Sequence, residues 1–181
     1  MVHNPKAKKW SGKNLIILAG IIAAIAIGIG YGAVSGAFSP SAAPSHEAEK
    51  IVMHIHPTLS IKIDGKSITI PANIGIDPNL YKDHSYDTYG MKMPIMASMP
   101  VMAPTHTHDT SGLIHVESTA ARDYTLGDLF NIWGVTFTDT CIMDKCNDGN
   151  KTVKMLVNGQ PNTEFRNHIL QDGEQISIEY G

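Results

Sequence analysis

His106, His108 and His115 fall within one stretch, THTHDTSGLIHVES, from Thr105 to Ser118. Asp109-Thr110-Ser111-Gly112 has the composition of a tight turn, with Asp early and Gly late. Two short strands folded about that turn would pair 108 with 113, 107 with 114 and 106 with 115. Side chains alternate between faces along a strand and directly paired residues share one face. His106, His108 and His115 are therefore predicted to point one way, with Glu117 one step further along. Two imidazoles at i and i+2, with a third across, can close on one ion through bonds of about 2 Å. A second His-x-His pair, His54 and His56, lies upstream. One pair alone reads as an ordinary polar strand face; the two together point to a metal.

Met93, Met96, Met99 and Met102 recur at every third position among Pro94, Pro100 and Pro104. Proline disfavours a helix there. Polyproline II, with three residues per turn, would align the four sulfurs along one edge. Thioethers are soft ligands that favour Cu(I), whereas imidazole suits copper and zinc alike. The competing reading is a methionine-rich loop packed over the core, where Met fills irregular gaps. The expected metal set is thus His106, His108, His115, His54 and His56, with Met93, Met96, Met99 and Met102 as a Cu(I)-capturing arm. Copper is the expected cofactor and zinc the alternative. Cys141 and Cys146 read as a local disulfide of an oxidising compartment, or else as a thiolate pair for Cu(I) or zinc.

The elements that must position these residues follow from patterning. Residues 51–63 alternate apolar and polar, with Ile55, Leu59, Ile61 and Ile63 on one face and His54, His56, Thr58, Ser60 and Lys62 on the other. Asp64-Gly65 is a hairpin turn, and 67–70 the return strand. Residues 123–134 read as a short helix, capped by Thr125 with Asp128 in the capping-box position, burying Leu126, Leu129, Phe130 and Trp133, and stopped by Gly134. Strands are expected over 135–138, 152–157 and 175–180. The fold class is α+β, a mostly antiparallel sheet with one short packed helix. The element order from Thr105 resembles the ubiquitin-like β-grasp arrangement, with the 51–70 hairpin added.

Residues 15–38 carry no charge and as a helix would be about 36 Å long, enough for a hydrocarbon core of about 30 Å. Lys6, Lys8, Lys9 and Lys13 precede them and the next basic residue is Lys50. This predicts a basic cytoplasmic tail (1–14), a single transmembrane helix (15–38), a Pro/Ser/Ala linker (39–50) and an extracytoplasmic domain (51–181) in the cell membrane. A cleaved signal peptide is the competing reading. Gly20, Ala24, Gly28, Gly32 and Gly36 share one helix face, through which two copies could pair. Outside the tail, ten basic residues face seventeen acidic ones. Such a balance argues against nucleic-acid binding.

The motifs HIHPTLSIKIDGK, IPANIGI, THTHDTSGLIHVES, TLGDLFNIWG and DGEQISIEYG, over most of residues 53–181, resemble a family of uncharacterised bacterial and archaeal extracytoplasmic proteins. That resemblance implies a domain plan and no mechanism. The methionine-rich insert departs from the family pattern and is similar to stretches in copper-handling proteins.

Three functions fit these readings. The first is an anchored copper-binding protein, for storage, delivery or as an accessory subunit of a copper enzyme in the membrane. The second is a zinc enzyme with a three-histidine site, where Glu117 or Asp109 orients a ligand or acts as base. The third is an anchored structural or interaction module whose histidines are structural.

Overall fold

The computed structural model of the protein describes residues 50–93 and 101–181. The expected tail, span and nearly all of the linker, together with Met96 and Met99, lie outside the described residues. Among the described residues no helix is long and apolar enough to cross a membrane.

A five-stranded mixed sheet carries the fold. Its central pair is β2 (Thr58–Ile63) and the C-terminal β12 (Gln175–Tyr180), which run parallel with Leu59 opposite Ile176 and Ile61 opposite Ile178. Outside β2 lies β3 (Lys66–Ile68), joined to it by the Asp64-Gly65 turn; outside β12 lie β10 (Val153–Val157) and β11 (Gln160–Pro161). Alternation does what the sequence requires. Leu59, Ile61, Ile176 and Ile178 are buried, and Ser60 and Lys62 between them are exposed. The helix α1 (Leu126–Trp133) contributes Leu126, Leu129 and Phe130 to the same core. Each such side chain contributes about 1.5–3 kcal/mol on full burial. Thr125 and Asp128 form the expected reciprocal cap, and Gly134 ends the helix.

The histidines belong to a second, three-stranded sheet. β7 (His115–Ser118) lies at its centre, flanked by β6 (Thr105–His106) and β1 (Met53–Ile55). This reverses one expectation. The 51–70 hairpin is no addition to the main sheet, because its residues 58–68 supply two of the five strands, while the Thr105–Ser118 hairpin stands apart. The alternation over 51–63 is also two strands, divided at His56-Pro57, where the chain passes from one sheet to the other. Proline has no N–H to continue a ladder. The stretch 135–138 keeps only a single bridge, Phe137 to Ile142. Thr138 is instead bonded to the turn that leads into the hairpin of β8 (Cys141–Ile142) and β9 (Lys145–Cys146). Cys141 and Cys146 face each other across that hairpin in a disulfide, so the thiolate-pair reading falls. A loop this short stabilises by roughly 2 kcal/mol in the chain-entropy model.

Met102 is buried in β5 (Val101–Met102), opposite Met91 of β4 (Met91–Lys92), and Met93 packs against the core. At 101–102 a strand pair thus replaces polyproline II.

Candidate metal centre

The centre is built from three neighbouring strands. His106 pairs with His115 and Thr105 with Val116, in the register expected from the turn. On the other side of β7, His54 pairs with Glu117. Val116 and Ser118 turn into the core and His115 and Glu117 turn to the opposite face. One face of this sheet thus carries His54, His106, His115 and Glu117, with His56 and His108 at the ends of the flanking segments.

The hairpin departs from expectation beyond His106. Residues 107–114 open, because their backbone bonds go elsewhere. Thr107 exchanges backbone bonds with Asn73 and Ile74, and its hydroxyl donates to the Pro71 carbonyl. Ile114 N–H donates to the Pro57 carbonyl, and Leu113 bridges to Thr58. The open loop is anchored on the main sheet. Gly112 has φ 84°, and its carbonyl accepts the Leu59 N–H at 2.8 Å. A Cβ at Gly112 would stand 2.2 Å from the Leu59 carbonyl oxygen, so no other residue fits. Gly75 seats the segment beside β6 in the same way; a Cβ there would meet Ala103 Cβ at 2.7 Å.

His108 still returns to the cluster. Its Nε2 lies 3.2 Å from Nε2 of His106. Two nitrogens bonded at about 2 Å to one tetrahedral ion stand about 3.3 Å apart, so this pair already has the spacing of adjacent ligands. The tautomer of His106 is settled by its other nitrogen, since Nδ1–H donates to the Ala103 carbonyl at 2.9 Å. The lone pair of Nε2 then points at His108, as a metal ligand oriented by a backbone carbonyl would. With His106 Nε2 as the acceptor, His108 Nε2–H is the donor of that bond. The His115 ring stacks on His106 at 5.5 Å between centroids and meets His108 edge-on at 4.5 Å. Its Nδ1 is buried without a hydrogen-bond partner, with Glu117 Oε1 at 3.6 Å. A buried polar atom of this kind is costly unless something completes it. His106, His108, His115 and Glu117 together place one ligand atom each within 4.8 Å of all the others.

The electrostatics favour neutral imidazoles at His106 and His115. Burial pushes the His106 pKa down to about 3, against the Ala103 carbonyl, and the neighbouring histidines push the same way. Burial also lowers His115, with His108 and His56 adding to it and Glu117 opposing. A neutral ring keeps its lone pair for a metal, whereas a protonated one has none.

Accessibility is graded across the face. His106 is fully buried, His115 and Glu117 are half-buried, and His108 and His54 are exposed. Glu117 Oε1 also lies 3.2 Å from His54 Nε2, and His54, His56 and Glu117 form a second group with ligand atoms within 4.8 Å of one another. The two His-x-His pairs therefore share one face, joined by the ring of His56 against that of His115 at 4.8 Å. Position i+2 from His115 was the signal for Glu117, which sequence reading placed beside the histidines as a base or orienting group. Asp172, whose carboxylate accepts the His56 backbone N–H at 2.8 Å, comes from 116 residues away and had no local signal. Met102 is buried, Met93 is partly buried against the core, and Asp109 caps its own turn by accepting the Ser111 N–H. A groove of about 370 Å³ beside α1, lined by Phe130, Asn131, Phe137 and Arg166, includes none of the histidines.

Compared with protein-family models, with curated proteins and with solved structures, the chain matches none of them.

Proposed function

We propose that the protein binds copper outside the cytoplasm, held to the membrane by residues 15–38, and stores it, delivers it or serves a copper enzyme there. The observation that carries the metal is the His106–His108 pair, 3.2 Å apart between Nε2 atoms, with His106 neutral and oriented by Ala103. A cluster of imidazoles with one carboxylate suits Cu(II), which binds nitrogen donors most tightly among the common divalent first-row metals. The nearby methionine run, Met93, Met96, Met99 and Met102, suits the reduced ion. The order of the β2–β3 hairpin, α1, β10 and β12, with β2 and β12 parallel at the centre, supports a β-grasp-like plan built on the 58–68 hairpin in place of the Thr105–Ser118 one. An exposed His108 beside a buried His106 supports loading and transfer over permanent burial.

The test is metal content of the full chain, purified untagged in detergent from copper- and zinc-replete medium. Copper lost on replacing His106, His108 and His115 together by Ala is the expected result. Zinc in its place would favour the three-histidine enzyme. No metal would leave an anchored interaction module.

A further inference from the structure

The two ligand groups share a single residue. His106, His108 and His115 form one set and His54 and His56 the other, and both converge on Glu117. Glu117 sits in the central strand, directly opposite His54 in β1 and two residues from His115 in its own strand. One of its oxygens, Oε1, lies 3.2 Å from His54 Nε2 and 3.6 Å from His115 Nδ1. A carboxylate has two oxygens and about four lone-pair positions, enough for two cations at once. From this geometry we infer that the face holds two metal ions bridged by the Glu117 carboxylate, an inner one on His106, His108 and His115 and an outer one on His54 and His56. This rests on the metal-binding reading above and adds to it the number of ions and their coupling.

The surroundings fit two ions better than one. Five imidazoles and a carboxylate exceed the four ligands a single tetrahedral site accepts. His54 and His56 meet each other at 4.6 Å between centroids, and His56 meets His115 at 4.8 Å, so the rings form a continuous path across the sheet. Asp172 adds negative charge beside His56, its Oδ1 4.0 Å from the imidazole Nδ1. Ions in two-metal sites stand about 3.5–4 Å apart, a separation that one carboxylate can bridge with an oxygen on each. The inner ion is built on a fully buried histidine and the outer one on exposed His54. Exposed His108 opens the inner set to solution as well.

The probe is Cu(II), titrated into the metal-free full chain in detergent. A background of His3→Ala with His46→Ala removes the two histidines that lie outside the described residues. Bound copper and electron paramagnetic resonance are read at each addition. The expected result is about two copper ions per chain, with spin coupling appearing only at the second, as a half-field transition or as signal intensity below the copper bound. Glu117→Gln and the pair His54→Ala with His56→Ala should each lose the coupling, and the His54/His56 pair should also lose the second ion. One copper per chain overturns the bridged pair and leaves the single centre standing. Two coppers with uncoupled spectra overturn the bridge alone. No copper overturns both readings. The unsubstituted ligand set decides among these even if a variant fails to fold.

Discussion

His106 and His168 are both buried, yet their neighbours differ in kind. His106 stands among imidazoles and a backbone carbonyl. His168 stands between two carboxylates, with Glu164 Oε2 at 2.9 Å from Nδ1 and Glu174 Oε2 at 3.0 Å from Nε2. Burial opposes charge on both rings. At His106 it wins, and the pKa falls to about 3. At His168 the two carboxylates together outweigh it, and the pKa rises. Both nitrogens of His168 are also occupied, so nothing is left for a metal. Glu174 is itself buried and accepts the Gln171 N–H. Sequence alone presents these two histidines as the same residue type. The partners that the fold brings to each ring decide that burial keeps one neutral with a lone pair to offer, while two carboxylates favour a proton on the other.

Four experiments would break or sharpen that contrast, from the largest expected effect down. His106→Ala should weaken copper binding by about 100-fold or more, beyond the range seen for residues that only orient ligands. His168→Ala should leave affinity within about threefold, since it touches none of the ligands. A comparable loss in both, measured by competition with a copper chelator, would erase the distinction. His168→Ala should instead destabilise the fold by roughly 3 kcal/mol, because Glu174 is left buried without its cation. Denaturant titration of the metal-free chain reads this directly, and a cost near zero would mean the ion pair does not hold the fold.

The pH dependence should run in opposite directions at the two sites. His106 is harder to protonate folded than unfolded, where its pKa is about 6.5. Its contribution to stability is present above about pH 6.5 and is lost as pH falls toward its folded value. His168 is easier to protonate when folded. Its contribution is present below about pH 6.5 and is lost as pH rises through its raised folded value. Each group has a limiting slope of about 1.4 kcal/mol per pH unit. Melting curves of His106→Ala should lose the acid-side fall, and those of His168→Ala the alkaline-side fall; the reverse assignment would refute both. The smallest effect is expected at His84, exposed outside the cluster, with Asp87 at 3.3 Å and the Tyr81 ring at 4.2 Å between centroids. His84→Ala should change stability by no more than about 0.5 kcal/mol and leave metal content unchanged.

Much of the site was legible in local pattern. The turn chemistry of 109–112 set the register that pairs His106 with His115, and strand alternation put Glu117 on their face. The helix was readable because its cap, stripe and stop are all local: Thr125 with Asp128, the apolar residues from Leu126, and Gly134. What local pattern missed were departures imposed at a distance. The strands part after His106 because Thr107 is claimed by Pro71 and Ile74, and no signal near Thr107 marks that. Met102 is buried opposite Met91 because β4 and β5 pair there, a strand pairing in place of the polyproline II that the spacing suggested.

The sequence by itself determined the donor chemistry: two His-x-His pairs, a third histidine across a turn and a carboxylate in step with it. Side-chain alternation has a period of two, so those choices needed only local backbone geometry. Only the tertiary structure decided that the two pairs meet. Pro57 ends β1 and sends the chain into the other sheet, which leaves His54 free to lie beside Glu117 while β2 pairs with the last strand of the chain. Contacts of that kind join residues more than fifty positions apart, and their partners are selected by packing of the whole core, which no spacing rule encodes.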